Sequence, residues 1–418
     1  MSEHKELVIG LFGFGVVGEG LYKVLQQTPS LKAVIKKACI KHPGKKRNAP
    51  ESLFTTDRNE LLNDKEINLI VEVIDDAKAG FEIVSTALKN GKDVVSSSKK
   101  MIAENLDTLL KLQQETGSSL LYESAACASI PVIRNLEEYY DNDLLHSIRA
   151  IVNGSTNFIL TKIFEENLSF RDALLLAQQL GFAESDPTLD VEGFDALNKW
   201  IILLLHAYGI VAHPEDILFN GIQNIAKSDA QVAKARGQQI KLVAQAKKLI
   251  NGGVGAYVLP QFVSTETPLS FVKNEYNGVV IESGFADQQF FYGKGAGSFP
   301  TASAVLSDIS ALRYEYRYEY KKLYHHQPHQ LNDDIYLKVF VSFTDLAFIP
   351  KEAFEWIEEW HAQESRKYLS GVIALKKLKE QSWWKENGTS LIVEADGIIE
   401  DIEERKLKKK SLELAGLL

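Results

Sequence analysis

The stretch Leu7-Val-Ile-Gly-Leu-Phe-Gly-Phe-Gly-Val-Val-Gly18 decides the fold of the N-terminal part of the chain. Its first half is a short apolar run of strand type, and apolar residues recur at helical spacing just after it. A G-x-G-x-x-G pattern between a strand and a helix predicts a dinucleotide-binding turn. The first glycine permits the tight turn, the second lets the backbone approach a pyrophosphate, and the third lets helix and strand pack closely. The predicted cofactor contacts are Gly13, Phe14, Gly15, Val16, Val17 and Gly18.

The choice between NADP and NAD depends on the loop after the second strand, which is predicted at 33–40. An NAD site favours an acidic residue here, to bind the ribose 2′-hydroxyl. The chain has Lys41-His-Pro-Gly-Lys-Lys-Arg47 instead, and its cations can bind a 2′-phosphate. We therefore predict NADP as the favoured cofactor, with Lys41 among its contacts. NAD stays open, because a solvated basic loop explains the same residues equally well.

Strand and helix patterns alternate up to about residue 135. Buried strands are predicted at 68–74, 93–96 and 119–122, and helices lie between them. This alternation predicts an α/β fold, a Rossmann-type domain whose parallel sheet has helices on both faces. Lys99 follows one of these strands, and open α/β sheets bind ligands at the carboxyl ends of their strands. Lys99 is therefore a candidate contact of the cofactor.

An unusually acidic segment, 181–199, lies in the middle of the chain. Pro187 and the acidic residues around it predict a loop, and the apolar spacing that follows predicts a helix. On that helix Asp195 and Lys199 are four residues apart and share one face. Such a pair can hold a polar substrate and move a proton. A solvated loop with a surface ion pair is the alternative.

The pattern after residue 135 is less regular and predicts a second domain of α+β type, over 136–289. A second glycine-rich loop, Gly293-Lys-Gly-Ala-Gly297, precedes a predicted helix, and its backbone can approach a ligand closely. We predict that 290–322 returns to the dinucleotide-binding domain, 1–135. A small C-terminal α+β module is predicted at 330–418, after a polar linker.

Length and composition exclude several classes of protein. The 418 residues are too many for one ordinary core, so two or three domains are expected. A net charge of −9 argues against a general nucleic-acid binder. The N-terminal apolar stretch lacks the basic flank of a signal peptide, and no apolar run of the sequence is long enough to cross a membrane. Cys39 and Cys127 are too far apart for a disulfide framework or a zinc site, which suits a reducing cytoplasm.

Four motifs of the chain resemble those of homoserine dehydrogenases, up to about residue 320. They are Gly13-Phe-Gly-Val-Val-Gly18, Asn153-Gly-Ser-Thr-Asn157, Gly181-Phe-Ala-Glu-Ser-Asp-Pro-Thr-Leu-Asp-Val-Glu-Gly-Phe-Asp195 with Lys199, and Tyr292-Gly-Lys-Gly-Ala-Gly-Ser-Phe-Pro-Thr301. The resemblance implies the NAD(P)H-dependent interconversion of L-aspartate 4-semialdehyde and L-homoserine, which commits carbon to threonine and methionine. Because no aspartate kinase segment precedes the match, the monofunctional form is expected. A homodimer formed through the second domain is also expected.

The resemblance also implies roles for individual residues. The implied catalytic residues are Lys199, Lys99 and Asp195, the substrate contacts are Glu184, Asp190, Asp195 and Lys199, and further cofactor contacts are Gly295 and Gly297. Negative charge that grows on a carbonyl oxygen needs a donor, and an ammonium group can donate a hydrogen bond and then a proton. Partial burial and a second cation would lower a lysine pKa towards neutrality. We expect Lys199 to donate the proton while Lys99 steadies the oxygen and the nicotinamide.

A monovalent-cation site for Na⁺ or K⁺, near the domain hinge, is implied as well. Its acid matches Glu123, and the backbone carbonyls of Ala126, Ala128 and Ile130 would complete it. The segment has bulkier residues here than the glycines that are usual in the family.

Three features of the sequence depart from the family pattern. Asp75-Asp76 stands where Gly-Gly is common, and Ser98 rather than Asn precedes the first lysine. The C-terminal module has the predicted strand–helix order of an amino-acid-binding, ACT-like regulatory domain, with the helix at 352–364. It lacks the glycine-containing turn of such domains over 343–350. Threonine feedback, dimerisation and docking therefore stay open as its role.

Two other functions fit parts of the sequence. A catalytically inactive, cofactor-sensing protein is supported by Asp75-Asp76 and Ser98, and the retention of Glu184, Asp195 and the two lysines argues against it. A related semialdehyde or amino-acid dehydrogenase on the same scaffold is the second alternative.

Overall fold

A parallel sheet with flanking helices forms the N-terminal part of the protein. The computed structural model describes residues 6–142, 144–325, 327–344, 349–363, 366–403 and 406. The elements of this part are β1 (Leu7–Phe12), α1 (Val16–Gln27), β2 (Ala33–Cys39), β3 (Phe54–Thr55), α2 (Asn59–Leu62), β4 (Leu69–Glu72), α3 (Ala77–Lys89), β5 (Asp93–Ser96), α4 (Lys99–Glu104), α5 (Leu106–Thr116) and β6 (Leu120–Leu121). The six strands lie in the order β3-β2-β1-β4-β5-β6, and the predicted Rossmann-type domain is confirmed. The order reverses between β1 and β4, and such a reversal is where α/β sheets bind ligands.

A second, mixed sheet forms the rest of the core. Its elements and those beside it are α6 (Ser124–Cys127), α7 (Val132–Arg134), β7 (Leu145–Ile151), α8 (Gly154–Glu166), α9 (Phe170–Gln179), α10 (Thr188–Val191), α11 (Phe194–Tyr208), β8 (Leu218–Phe219), α12 (Lys227–Ala235), β9 (Gln238–Lys248), β10 (Val254–Ser264), β11 (Tyr276–Ser283), β12 (Asp287–Lys294) and α13 (Ser298–Leu312). Helices α8, α11 and α12 pack against β9. The predicted α+β character of this part is confirmed.

The C-terminal region extends this second sheet. Its elements are β13 (Tyr336–Phe343), β14 (Phe354–Gln363), β15 (Arg366–Ala374), α14 (Leu375–Glu380) and β16 (Thr389–Ile399). Within the described residues the sheet has ten strands in the order β12-β11-β7-β9-β10-β16-β13-β15-β14, with β8 beside β10. Because β16 pairs with β10, the region continues the sheet of the second part.

The prediction of a helix at 352–364 is wrong, because most of this segment is the antiparallel strand β14. Two irregularities in its pairing with β15 shift the phase of the strand. Apolar residues therefore recur at Phe354, Ile357 and Trp360, a spacing that imitates a helix. The strand–helix order of an ACT-like domain is thus absent from the described residues. Part of the predicted turn, 345–348, and the last residue of the predicted helix lie outside them.

Helix α13 returns from the second sheet to the dinucleotide-binding part. It packs against α1, where Ser298 Oγ donates to the Val16 carbonyl at 2.7 Å. Arg313 Nη1 donates to the Ser30 carbonyl at 2.9 Å. The second glycine-rich loop, which precedes α13, therefore lies beside the first.

Helix α11 is buried around nearly its whole circumference. Its inward positions include Trp200 and the run Ile201–Ala207. Asp195 and Lys199 expose only 7% and 8% of their surfaces on this helix. Charged groups that are shielded from water need partners in the protein. Among the described helices, none combines the length and apolar composition needed to cross a bilayer.

Candidate active site

The Asp195 carboxylate lies between the ammonium groups of two lysines. Lys199 Nζ is 2.8 Å from Asp195 Oδ2. Lys99 Nζ is 3.0 Å from Asp195 Oδ1. Asp195 and Lys199 are one turn apart on α11, as predicted, whereas Lys99 is the first residue of α4, which packs against α11. The structure therefore brings together the three residues that were predicted to be catalytic.

Asn153 joins this group to a further carboxylate. Asn153 Nδ2 donates to Asp195 Oδ2 at 2.8 Å and to Asp190 Oδ1 at 2.7 Å. Its Oδ1 caps α8 by accepting from the Thr156 amide at 2.8 Å. The sequence signal was a polar turn after a strand. The contact with two carboxylates was not predicted, because it joins residues that are distant in sequence.

The Val152 carbonyl anchors the Lys199 side chain from the other side. Lys199 Nζ donates to it at 2.8 Å, and Asn277 Nδ2 donates to the same oxygen at 3.1 Å. An ammonium group has three N–H donors, and among the described contacts two of them meet Val152 and Asp195. The third N–H has no acceptor among the described contacts and is therefore available to a ligand.

Charge within this group controls the pKa of Asp195 and of Lys99. Burial alone would raise the pKa of Asp195, but the ammonium groups of Lys199 and Lys99 and the hydrogen bond from Asn153 hold it well below its ordinary value. In return, the Asp195 carboxylate raises the pKa of Lys99 against the opposing effect of burial. The expectation that this site lowers the pKa of its lysines is wrong for Lys99, because the carboxylate lies between the two cations.

The loop before α10 carries the acid predicted to bind the substrate amino group. Glu184 is exposed, its backbone carbonyl accepts from Gln178 Nε2 at 2.9 Å, and its carboxylate has no ion pair within the described residues. Asp190 lies in α10 and is half-buried. Its burial and, to a smaller extent, the negative charge of Asp195 raise its pKa. Glu184 is thus available to a ligand, whereas Asp190 is held by Asn153.

The three motif glycines of the first turn face three different environments. A Cβ on Gly13, where φ is +96°, would lie 2.8 Å from the Val73 carbonyl oxygen. A Cβ on Gly18 would lie 2.2 Å from the Gly13 carbonyl oxygen. A Cβ on Gly15 would meet no atom within 4 Å, so the backbone is open to a ligand there. This is the arrangement that a pyrophosphate requires at the N-terminus of α1.

The side chains of this turn differ in their exposure to solvent. Phe14 is buried and packs edge-on against Phe54, with ring centroids 4.9 Å apart, so only its backbone faces a ligand. Val16 is 70% exposed. Val17 is half-buried.

The second glycine-rich loop contains one packing glycine and one exposed glycine. Gly295 is buried, and a Cβ on it would lie 2.1 Å from the Asn277 side chain. Gly297 is exposed, has a φ of +116° and is the N-cap residue of α13. Gly297 therefore stays a candidate contact of the cofactor, whereas the need for glycine at 295 is explained by Asn277 alone.

The basic loop after β2 lies at the same edge of the sheet as the first turn. Lys41, Lys45 and Lys46 are exposed. Arg47 is folded back: its guanidinium donates to the Lys45 and His42 carbonyls, each at 2.8 Å, and lies over the Phe54 ring. Three lysines of the loop thus remain for a phosphate, and Arg47 shapes the loop.

The two acids that replace the usual glycines have different positions. Asp76 caps α3 by accepting from the Ala79 amide at 3.0 Å. Asp75 is exposed, and its charge contributes to the raised pKa of Lys99. Neither acid disturbs the contact of Lys99 with Asp195.

At the predicted cation site, two buried carboxylates lie close to a single guanidinium group. The Glu123 carboxylate accepts from the Ile133 amide at 2.8 Å and the Arg134 amide at 3.0 Å. Arg134 Nη2 donates to Asp308 Oδ1 at 2.7 Å. Burial and the charge of Asp308 raise the pKa of Glu123 to about 8, and burial raises that of Asp308 to about 6. Two carboxylates therefore share one guanidinium here.

The backbone of this segment has an unusual turn. Ala126, Ala128 and Ile130 are all buried, and Ala128 has a φ of +44°, which favours glycine. Clusters of three or more His, Cys, Asp or Glu side chains suited to a metal ion are absent from the described part of the chain.

Two family models match the chain. The model described as homoserine dehydrogenase matches residues 131–310, and the model described as homoserine dehydrogenase, NAD binding domain, matches residues 13–123. The homoserine dehydrogenase of Bacillus subtilis is 35% identical over 317 residues, which cover 74% of this chain and 73% of that protein. The homoserine dehydrogenase of Helicobacter pylori is 35% identical over 312 residues, which cover 73% of each chain.

Solved structures extend the similarity to the whole fold. The crystal structure of a homoserine dehydrogenase from Thiobacillus denitrificans has a TM-score of 0.78 and 25% identity, and the match covers 93% of this chain and 98% of that chain. A hyperthermophilic archaeal homoserine dehydrogenase in complex with NADPH has a TM-score of 0.64 and 28% identity, over 75% of this chain and 99% of that chain. The similarity to the first of these structures thus includes most of the C-terminal region.

Proposed function

The chain belongs to the homoserine dehydrogenase family, and on that premise we propose how its residues divide the work of the reaction. The enzyme is an NAD(P)-dependent oxidoreductase that interconverts L-homoserine and L-aspartate 4-semialdehyde, in the context of threonine and methionine biosynthesis. The observation that carries the proposed roles is the contact of Lys99 and Lys199 with one carboxylate, Asp195, at the cofactor-binding edge of the sheet.

Lys199 is the proposed proton donor in the direction of reduction. When bound, the reduced nicotinamide supplies a hydride to the aldehyde carbon. The third N–H of Lys199 meets the carbonyl oxygen, stabilises the charge that grows there and then gives up its proton to form the hydroxyl. Asp195 and the Val152 carbonyl hold this ammonium in place. Lys99, whose ammonium is kept charged by Asp195, supports the same oxygen and the nicotinamide.

Glu184 is the proposed partner of the substrate amino group. Its exposed carboxylate is free to pair with an ammonium, which Asp190, held by Asn153, is less able to do. Asp190 then serves as a second, weaker contact of the amino end. A panel of hydroxy and amino acids, assayed through the nicotinamide absorbance with each cofactor, tests the substrate. L-homoserine should give the highest kcat/KM, and a hydroxy acid without an amino group that matched it would contradict the role of Glu184.

We expect alanine at Gly15 and at Gly18 to separate cofactor binding from stability. Gly15→Ala leaves the fold intact, because its Cβ meets open space, but it blocks the approach of a pyrophosphate. The cofactor KM should rise by about tenfold or more, a loss of about 1.4 kcal/mol of binding. Gly18→Ala should instead lower the free energy of unfolding by about 1–3 kcal/mol, because its Cβ overlaps the Gly13 carbonyl. Kinetics and thermal unfolding of both variants give the result, and a normal cofactor KM for Gly15→Ala would exclude this turn as the phosphate site.

NADP is the proposed physiological cofactor. The support is the exposed lysines of the loop after β2 and the absence of an acidic residue from segment 40–47. The archaeal structure with NADPH shows that a similar protein binds this form.

Lys41→Ala tests the preference for NADP. The substitution should raise the KM for NADPH by about three- to tenfold, because an exposed charge-assisted contact is lost, while the KM for NADH is unchanged. Lys111→Ala, which removes an exposed lysine from α5, is the matched control for net charge. Equal effects of Lys41→Ala on both cofactors would count against a 2′-phosphate contact.

A monovalent cation is the proposed counter-charge of the Glu123 segment. Glu123 and Asp308 are buried with one guanidinium between them, so one further positive charge would balance the group. The ligands would be Glu123 and the carbonyl oxygens of Ala126, Ala128 and Ile130, and hard alkali cations suit such oxygens.

Salts with and without alkali cations test this site. Na⁺ or K⁺ should raise Tm by a few degrees relative to tetramethylammonium at equal ionic strength, since a ligand that binds only the folded state stabilises it. Glu123→Gln should remove the difference between the salts. Identical melting curves of the wild-type protein in all three salts would exclude the site.

The proposed domain division is 1–135 with 290–322, then 136–289, then 330–418. The packing of α13 on α1 supports the first unit, and the continuity of the second sheet ties the other two together. A homodimer through the second domain is proposed from Phe285, which is 89% exposed in the turn between β11 and the edge strand β12, and light scattering of the pure protein tests it. A cytoplasmic location is proposed from the two free cysteines, and cell fractionation tests that location.

A further inference from the structure

One buried carboxylate at the cofactor-binding edge has no part in the chemistry above. Glu72 is the last residue of β4, and its side chain is fully buried. Strands β1 and β5 flank it, and Gly80 of α3 lies over it, where a Cβ would come within 3.5 Å of the carboxylate. Burial raises the pKa of Glu72 to about 7. An acid with such a desolvation cost must be compensated by its hydrogen-bond partners.

Ser96 is one of those partners, and it connects Glu72 to the turn before Lys99. Ser96 Oγ donates to Glu72 Oε2 at 2.5 Å, and the Ile74 amide donates to Oε1 at 2.8 Å. The same Ser96 oxygen accepts from the Ser98 amide at 3.1 Å. A continuous chain of hydrogen bonds therefore runs from the Glu72 carboxylate to the residue before Lys99.

Through the Ser98 amide, these hydrogen bonds can orient helix α4. Ser98 is the N-cap of α4, but its own side chain makes no capping hydrogen bond. Lys99 follows as the first residue of the helix, with a side chain that is 42% exposed and reaches Asp195 in a single ion pair. A small rotation of this first turn would move the ammonium away from Asp195, and no capping side chain of its own opposes that rotation.

We propose that Glu72 is a positioning residue, which through Ser96 holds the first turn of α4 so that the Lys99 ammonium stays at Asp195. The inference rests on the proposed role of Lys99. Glu72 itself touches neither the substrate nor the reacting atoms, and its influence passes through the Ser96 hydroxyl.

The charge of Glu72 matters for this task because it fixes the direction of the Ser96 hydroxyl. When Glu72 is ionised, above its pKa of about 7, its carboxylate can only accept, so the Ser96 proton points to it and a lone pair of the Ser96 oxygen is left for the Ser98 amide. A neutral side chain that can itself donate to Ser96 competes with the Ser98 amide for the same oxygen. A purely structural carboxylate would affect stability without any such effect on Lys99.

Glu72→Gln, Ser96→Ala and Lys99→Ala, alone and combined, test the inference. Glu72→Gln and Ser96→Ala should each lower kcat by about tenfold, since small misplacements of catalytic groups have effects of this order or larger. The KM for cofactor and for homoserine should stay within about twofold of the wild type. In the Lys99→Ala background neither change should lower kcat further, because both act through Lys99. Ser118→Ala, a buried serine at the opposite end of the sheet, is the control and should leave kcat unchanged.

The outcomes distinguish this inference from the role of Lys99. A normal kcat in folded Glu72→Gln and Ser96→Ala, or losses that add fully to that of Lys99→Ala, would refute the positioning role. If Glu72→Gln does not fold, Ser96→Ala decides alone. A normal kcat in Lys99→Ala would refute the role of Lys99 and this inference together. A low kcat in Lys99→Ala with a normal kcat in Glu72→Gln would refute only the positioning role of Glu72.

Discussion

Lys199→Ala should lower kcat by about a thousandfold or more, because one side chain supplies both the donor for the carbonyl oxygen and the proton. The cofactor dissociation constant, measured by fluorescence titration, should stay within about twofold, since Lys199 belongs to the second part of the chain and not to the glycine-rich turn. The loss should fall on kcat more than on KM for homoserine, because the contact strengthens as charge develops on the oxygen.

A matched control separates this effect from the loss of a helical ion pair. Lys162→Ala removes a lysine from α8 that pairs with Glu166 one turn away, at 2.6 Å, as Lys199 pairs with Asp195. Its kcat should equal that of the wild type. Circular dichroism confirms that both variants are folded. A Lys199→Ala enzyme within about tenfold of the wild-type kcat would remove Lys199 from the role of proton donor.

Asp195→Asn should lower kcat by about a hundredfold or more and change the pH profile of the reduction. The substitution leaves two ammonium groups close together without the carboxylate between them, so their mutual repulsion misplaces both. Asp195 raises the pKa of Lys99, so its removal lowers that pKa. A lysine that must be an ammonium loses activity as pH rises through its pKa, and the alkaline limb of kcat/KM should therefore move to lower pH.

Stability measurements give a second signature of the same substitution. The folded-state pKa of Asp195 lies below its unfolded value, so the carboxylate stabilises the fold above the unfolded pKa, about 3.9, and loses this effect as pH falls. The Tm difference between wild type and Asp195→Asn should therefore shrink on acidification from neutral pH. Asp186→Asn, which changes an exposed acid in the loop before α10, is the control and should leave the alkaline limb in place. An unmoved limb in Asp195→Asn would show that Asp195 does not keep the Lys99 side chain charged.

Local pattern was sufficient to predict the parts of the fold that depend on near neighbours. Gly13 has the positive φ of the tight turn, and Gly18 packs against the Gly13 carbonyl, so both follow from one turn and one helix, whereas the contact of Gly13 with the Val73 carbonyl joins distant segments. The pair Asp195 and Lys199 follows from the period of an α-helix. The strand β14 was missed because its pairing irregularities disturb the alternation that identifies a strand.

The parts of the site that local sequence patterns did not predict depend on contacts between distant segments. Lys99 meets Asp195 only because α4 packs against α11, and its place in the site was implied by the family resemblance. Asn153, Val152 and Asn277 join the site through tertiary contacts that have no local pattern. The expected lowering of the pKa failed for Lys99 for the same reason, because the position of Asp195 between the two cations is a property of the folded chain.

The most direct test of the account is the structure of the ternary complex with oxidised cofactor and L-homoserine. The account predicts that the homoserine hydroxyl lies about 3 Å from Lys199 Nζ and its carbon about 3.5 Å from carbon 4 of the nicotinamide, with Glu184 at the amino group. A homoserine hydroxyl bound beyond hydrogen-bond reach of both Lys199 and Lys99, with the nicotinamide already in place, would contradict it.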